Sequence, residues 1–133
     1  MTPTDIKNID LSKHTVLAVD DIPMNLLLIS KILSRLNINI STAANGREAL
    51  DFIAKQKPSL VLLDLMMPEI DGVDATKTIR AAGDAIHQPI IIALSANVME
   101  EAKKLFAEAG MNDFVAKPID VRKFITTVKK WLP

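Results

Sequence analysis

Apolar residues along this chain follow two alternating rhythms. Five short runs are dense in apolar side chains: TVLAV (15–19), INIST (38–42), LVLL (60–63), IIIAL (90–94) and DFVA (113–116). Several are continuous, the pattern of strands in a parallel sheet covered on both faces. INIST alternates instead, which places it nearer a sheet edge. The segments between carry apolar positions at helical spacing. Ile29, Ile32, Leu33 and Leu36 follow Pro23, a residue suited to a first helical turn. Asn45 and Glu48 form a capping-box-like start for a stripe of Ala49, Phe52 and Ile53. Asn97 and Glu100 offer the same start to Ala102, Leu105, Phe106 and Ala109, with Gly110 as the stop. Asp120 caps a final helix that turns Phe124, Ile125 and Val128 inward. After Gly72 the apolar positions thin to Val73 and Ile79, so the helix expected there has the weakest pattern, and IDG (70–72) reads as a turn.

Five strand–helix units predict an α/β fold: an open, doubly wound, five-stranded parallel sheet with five helices, because parallel strands need right-handed crossovers. No linker, internal repeat or low-complexity segment divides the chain. Residues 14–132 read as one domain behind a polar lead-in, 1–13.

In such a sheet ligands bind outside the carboxyl ends of the strands. Asp20 and Asp21 follow the first run, Asp64 the third, Ser95 the fourth, and Lys117 with Pro118 the fifth. Taken singly, Asp21 and Ser95 read as caps or turn residues and Lys117 as a surface lysine. Together they line one rim. Asp64 also ends the apolar stretch SLVLLDLMMP abruptly, and an ionised carboxylate is costly to bury without compensation. Either it emerges into solvent or a positive partner meets it. Clustered carboxylates repel one another unless a cation lies between them, and hard oxygen ligands suit Mg²⁺. His14 and His87 read as ordinary surface histidines, and the chain has no cysteine, so nothing near the rim favours zinc. The first turn, VDDIPMN, lacks a glycine-rich phosphate cradle, which argues against a nucleotide cofactor.

Composition narrows the functional classes. With 16 basic and 16 acidic residues the net charge is zero, so no global field draws the protein to nucleic acid or to an anionic membrane. The basic residues Arg122, Lys123, Lys129 and Lys130 read as a solvated helical face. The absence of cysteine removes disulfides and thiolate nucleophiles and is compatible with a reducing compartment. No signal-peptide core or bilayer-length apolar stretch is present, and a soluble, cytoplasmic protein is expected.

Four motifs in order, VLAVDD, LVLLDLMMPEIDG, IIIALSA and DFVAKP, resemble the receiver domain of two-component response regulators over residues 14–132. The resemblance implies a flavodoxin-like receiver topology and a role for each rim residue. Asp64 would be the phosphoacceptor, taking a phosphoryl group from the phosphohistidine of a histidine kinase or histidine phosphotransfer domain. Asp20, Asp21, Asp64 and the backbone carbonyl of Met66 would hold Mg²⁺. Lys117 would pair with Asp64 and then with the phosphoryl group, which Ser95 would also contact. The backbone N–H groups of Leu65 and Ala96 are placed to add donors. Ser95 and Phe114 would form a conformational switch, and Lys117–Pro118 a cis peptide. Phe114 lacks the hydroxyl that tyrosine would bring, so a phenol hydrogen bond plays no part. Met66 and Asn97 flank the site and are placed to tune the lifetime of the phosphoryl group.

On this reading the protein is no enzyme beyond self-directed phosphoryl transfer and autodephosphorylation. Its partners are the phosphodonor and a protein effector, with no direct nucleic acid contact and no membrane insertion. It would be a monomer or a phosphorylation-dependent dimer through the fourth helix, fifth strand and fifth helix. The chain ends at Pro133 just past the last helix, which fits a stand-alone regulator, a relay intermediate or a receiver from a larger kinase. DDIPMNLLLISKIL and GMNDFVAKPID look more like receivers of hybrid histidine kinases. Two other classes fit less well. A phosphate-independent binding module has no need of the full set of rim residues. A haloacid-dehalogenase-like aspartyl-phosphate phosphatase would want a second acid two residues after the nucleophile, where Met66 stands.

Overall fold

The computed structural model describes residues 14–64, 72–96 and 99–132. Strands β1 (Thr15–Val19), β2 (Asn39–Ala43), β3 (Leu60–Asp64), β4 (Ile90–Ser95) and β5 (Asp113–Ala116) alternate with helices α1 (Pro23–Ser34), α2 (Gly46–Gln56), α3 (Gly72–Ala81), α4 (Glu100–Ala109) and α5 (Val121–Trp131). All strand pairs are parallel, in the order β2-β1-β3-β4-β5. The half-exposed β2 lies at one edge, in keeping with its alternating sequence.

Strand periodicity divides the core in two. On one face Val16, Ala18, Leu60, Leu62, Ile92 and Leu94 pack with Ile29, Ile32 and Leu33 of α1 and Phe124, Ile125 and Val128 of α5. On the other, Leu17, Val19, Val61, Leu63, Ile91 and Ala93 meet Ala49 and Ile53 of α2, Ala75 and Ile79 of α3, and Phe106 of α4. Both sets of strand side chains are buried, which is why the runs are continuous.

Local chemistry sets most helix ends. The Asn45 side chain accepts from the Glu48 N–H at 2.9 Å, and Glu48 reaches back to the Ala44 N–H at 3.3 Å. Asp120 accepts from the Lys123 N–H at 3.1 Å. Two helices depart from expectation. The α4 N-cap is Met99, with no side-chain cap, and Glu100 is its first residue; Asn97 lies outside the described residues. Leu105 stands 46% exposed because the inward stripe of α4 is narrow, built on Phe106 and Ala109 with Ala102 packed beside them. Gly72 is the first residue of α3, and Ile70 and Asp71 of the expected turn lie outside the described residues. That helix buries Ile79 with Ala75 and Thr76, two small residues that add little to the hydrophobic pattern. The Thr76 hydroxyl is satisfied by donating to the Gly72 carbonyl at 2.8 Å.

At the end opposite the candidate rim, Arg80 ties α3 to the turns that precede β4 and β5. It donates to the Gly110 and Pro89 carbonyls, to Gln88 Oε1 and to Asn112 Oδ1, each at 2.9 Å. Gly110 ends α4 with φ +107°, and a Cβ there would lie 2.6 Å from Arg80 Cγ. Gly110→Ala therefore combines left-handed strain with a clash against an arginine already committed to four partners. A loss of about 1–2 kcal/mol is expected by urea unfolding. Gly83→Ala, at φ +54° in open space, should lose less. Equal losses would show that Arg80 yields without resistance.

Candidate functional site

The register of the sheet brings the rim residues together. Val19 pairs with Leu63, so Asp20 and Asp64 follow side by side as β1 ends and β3 reaches its last residue. Ser95 closes β4 and pairs with Ala116, directly before Lys117 on β5. The Lys117 N–H also donates to the Ser95 carbonyl at 2.9 Å, and the Lys117–Pro118 peptide is cis. From β5 the lysine stem crosses β4 and sets its Nζ 3.0 Å from Asp64 Oδ1 and 3.7 Å from Asp20 Oδ2.

Asp20 is fully buried, Asp64 is 3% exposed, and Asp21 is exposed. Carboxylate oxygens of all three lie within 4.8 Å of one another. A positive partner for the carboxylate that ends β3 is thus Lys117, and among the described residues its ammonium faces three acids. Asp20 gains further support from its own segment: Oδ1 accepts from the Ile22 N–H at 2.9 Å and Oδ2 from Asn25 Nδ2 at 3.0 Å. Sequence reasoning passed over Asn25. Its only signal is an amide in the first turn of α1, five residues after Asp20.

Ser95 is buried at the end of β4, and Ala96 follows it exposed. Leu65 and Met66 lie outside the described residues. Phe114 is half-buried on β5 on the face covered by α4, and the Lys103 ammonium stands 4.8 Å from its ring centroid. An open groove of about 570 Å³ runs beside it, lined by Lys103, Phe114, Pro118, Arg122 and Lys123. That groove is lined by none of the acidic cluster, so the rim chemistry and this groove are separate features. His14 bonds to Ser59 Oγ at 3.2 Å, ahead of β1 at the opposite end of the sheet, and His87 is exposed in the loop before β4. Neither joins the cluster. The donors present are hard oxygens, the set that fits Mg²⁺. Among the described residues no helix is long and apolar enough to cross a membrane.

This chain belongs to the response regulator receiver domain family, whose model matches residues 16–129. It is therefore a module of two-component and phosphorelay signalling, with the flavodoxin-like sheet of that family. Over 118 residues it is 38% identical to the sensor histidine kinase GacS of Pseudomonas protegens, covering 87% of this chain and 13% of that kinase. It resembles the solved receiver domain of the sensor histidine kinase PA1611 from Pseudomonas aeruginosa, which has a magnesium ion coordinated in its active-site cleft. That match has a TM-score of 0.80 at 31% identity and covers 90% of this chain and 97% of the other. A third likeness is to the Saccharomyces cerevisiae complex of the phosphotransfer protein Ypd1 with the receiver of Ssk1, with a TM-score of 0.81 at 26% identity over 90% of this chain and 89% of that chain.

The charge imbalance predicts a stability effect that needs no ligand. Among the described residues Asp21 forms no ion pair, and its charge adds repulsion to the buried Asp20 and Asp64. Asp21→Asn should raise the unfolding free energy in divalent-free buffer by about 0.5 kcal/mol, and less at high salt. A decrease, measured by urea titration, would contradict the electrostatic reading of the cluster.

Proposed function

We propose that Asp64 is an Mg²⁺-dependent phosphoacceptor that takes its phosphoryl group from a phosphohistidine on a partner protein. The observation that carries this reading is the Lys117–Asp64 pair at 3.0 Å inside a three-carboxylate cluster at the carboxyl edge of the sheet. Phosphoryl transfer calls for in-line positioning and neutralisation of oxygen charge more than for covalent assistance. Asp20, Asp21 and Asp64 would hold the cation, with the Met66 carbonyl as a further ligand. When bound, Mg²⁺ supplies the positive charge that lets a carboxylate approach the phosphoryl oxygens.

The chain's own residues do the rest. Burial of the β3 run behind Asp64 fixes the direction of its carboxylate. An Asp64 oxygen forms the new O–P bond while the P–N bond breaks, its electron pair staying on the donor imidazole. Lys117 already sits at the carboxylate and can pass to a phosphoryl oxygen as charge accumulates there. Ser95 ends the adjacent strand and Ala96 follows it, so the Ser95 hydroxyl and the Ala96 N–H would donate to the phosphoryl oxygens. Phosphorylation adds negative charge to a rim next to the α4 entry, an electrostatic change able to bias Ser95 and Phe114 on that face. Output would follow through a protein effector, with dimerisation through α4, β5 and α5 as one route.

A protein donor must cover this rim, and α1 beside it is unusually greasy. Met24, Leu27 and Leu28 are 71%, 49% and 46% exposed and share one stripe by their spacing, with Ile22 at the helix entry. Such a surface fits a histidine kinase or phosphotransfer partner that docks on α1.

Two measurements test this reading. Intact mass after incubation with acetyl phosphate and Mg²⁺ should show one phosphoryl adduct, absent with Asp64→Asn and with EDTA. No adduct on folded protein, either from acetyl phosphate or from a phosphorylated donor, would leave a phosphate-independent binding module. Leu27→Asp should slow transfer from a phosphorylated donor protein at least tenfold while leaving acetyl phosphate loading unchanged. An equal effect on both would place the lesion in the fold instead of the docking face.

A further inference from the structure

We infer that Asn25 is a positioning residue that sets the divalent-cation affinity of the acidic cluster by holding the Asp20 carboxylate. The inference rests on the reading that Mg²⁺ occupies that cluster.

Asp20 is 0% exposed, so its carboxylate depends on partners from the protein. Oδ1 has the Ile22 N–H at 2.9 Å. Oδ2 has the Asn25 amide at 3.0 Å, with Lys117 farther off at 3.7 Å and committed more closely to Asp64. Asn25 thus makes the short bond to Oδ2. Two donors from one local segment, one on each oxygen, fix the rotation of the carboxylate about its Cβ–Cγ bond.

The residue type matters as much as the distance. A lysine at position 25 would add a second ammonium and compete with a divalent cation. An aspartate would add a fourth acid and have no proton to donate. An amide orients Asp20 while leaving the balance of three carboxylates against one ammonium unchanged. Its neighbours on α1, Met24, Leu27 and Leu28, are exposed, whereas Asn25 is half-buried and turns toward the rim. Residues that orient a metal ligand commonly change metal affinity by tenfold or more when removed.

The test is an Mg²⁺ titration of the unphosphorylated ¹⁵N-labelled protein, with no phosphodonor present. Asn25→Ala and the near-isosteric Asn25→Leu should each raise the Mg²⁺ Kd about tenfold. The rate of acetyl phosphate loading at saturating Mg²⁺ should return to within about threefold of wild type, since Asn25 touches no reacting atom. In the wild type, the Asn25 side-chain amide signals should shift on adding Mg²⁺. An unchanged or tighter Kd in both variants, with only urea stability reduced, would overturn the inference and leave Asn25 a structural partner of Asp20. Failure of the wild type to bind Mg²⁺ at these residues would overturn the metal reading, and this inference with it.

Discussion

Everything at the rim depends on one ammonium serving several acids. Lys117 reaches Asp64 at 3.0 Å and Asp20 at 3.7 Å, and these two carboxylates are almost entirely withdrawn from water. Burying charge without compensation is expensive, so the fold tolerates the pair only because the lysine and local donors meet it. Compensation is incomplete, since Asp21 adds a third negative charge within 4.8 Å. On the proposed reading, a divalent cation would relieve that imbalance. Phosphorylation would then act on a balance already close to its limit.

The sheet supplies the precision. Asp64 ends the central strand, flanked by β1 on one side and β4 on the other, so its neighbours are set by backbone register instead of loop conformation. Asp20 comes from one adjacent strand end and Ser95 from the other. Lys117 has to cross β4 to arrive, which requires a long side chain. Fold and chemistry are coupled here because slipping a single strand would take the carboxylate away from its ammonium. Asn25 extends the same logic to α1, whose entry is tied to Asp20 by the Ile22 N–H and the Asn25 amide.

The strands and their order of use were legible because a parallel sheet buried on both faces leaves continuous apolar runs, and each run stops where its strand leaves the core. Asp64, Ser95 and Lys117 were conspicuous for that reason. Helix starts were legible where a side chain makes the cap, as at Asn45 and Asp120, and were displaced at α4, whose Met99 cap offers no side-chain bond. Leu105 was misassigned because helical spacing alone does not fix the width of a buried stripe. α3 was faint because Ala75 and Thr76 pack closely without looking hydrophobic. Asn25 escaped notice since its role lies in the direction of one amide, which spacing does not encode. The expectations placed on Leu65, Met66 and Asn97 fall outside the described residues.

On the proposed reading, the carboxylates of Asp20, Asp21 and Asp64 form the seat of one divalent cation beside Lys117. Anomalous diffraction from crystals of the unphosphorylated protein soaked in Mn²⁺, a stand-in for Mg²⁺ with the same preference for oxygen ligands, tests it directly. A single strong peak among these three carboxylates is expected, absent from crystals of Asp21→Asn. No peak there at saturating Mn²⁺, or a peak on other residues alone, would contradict it.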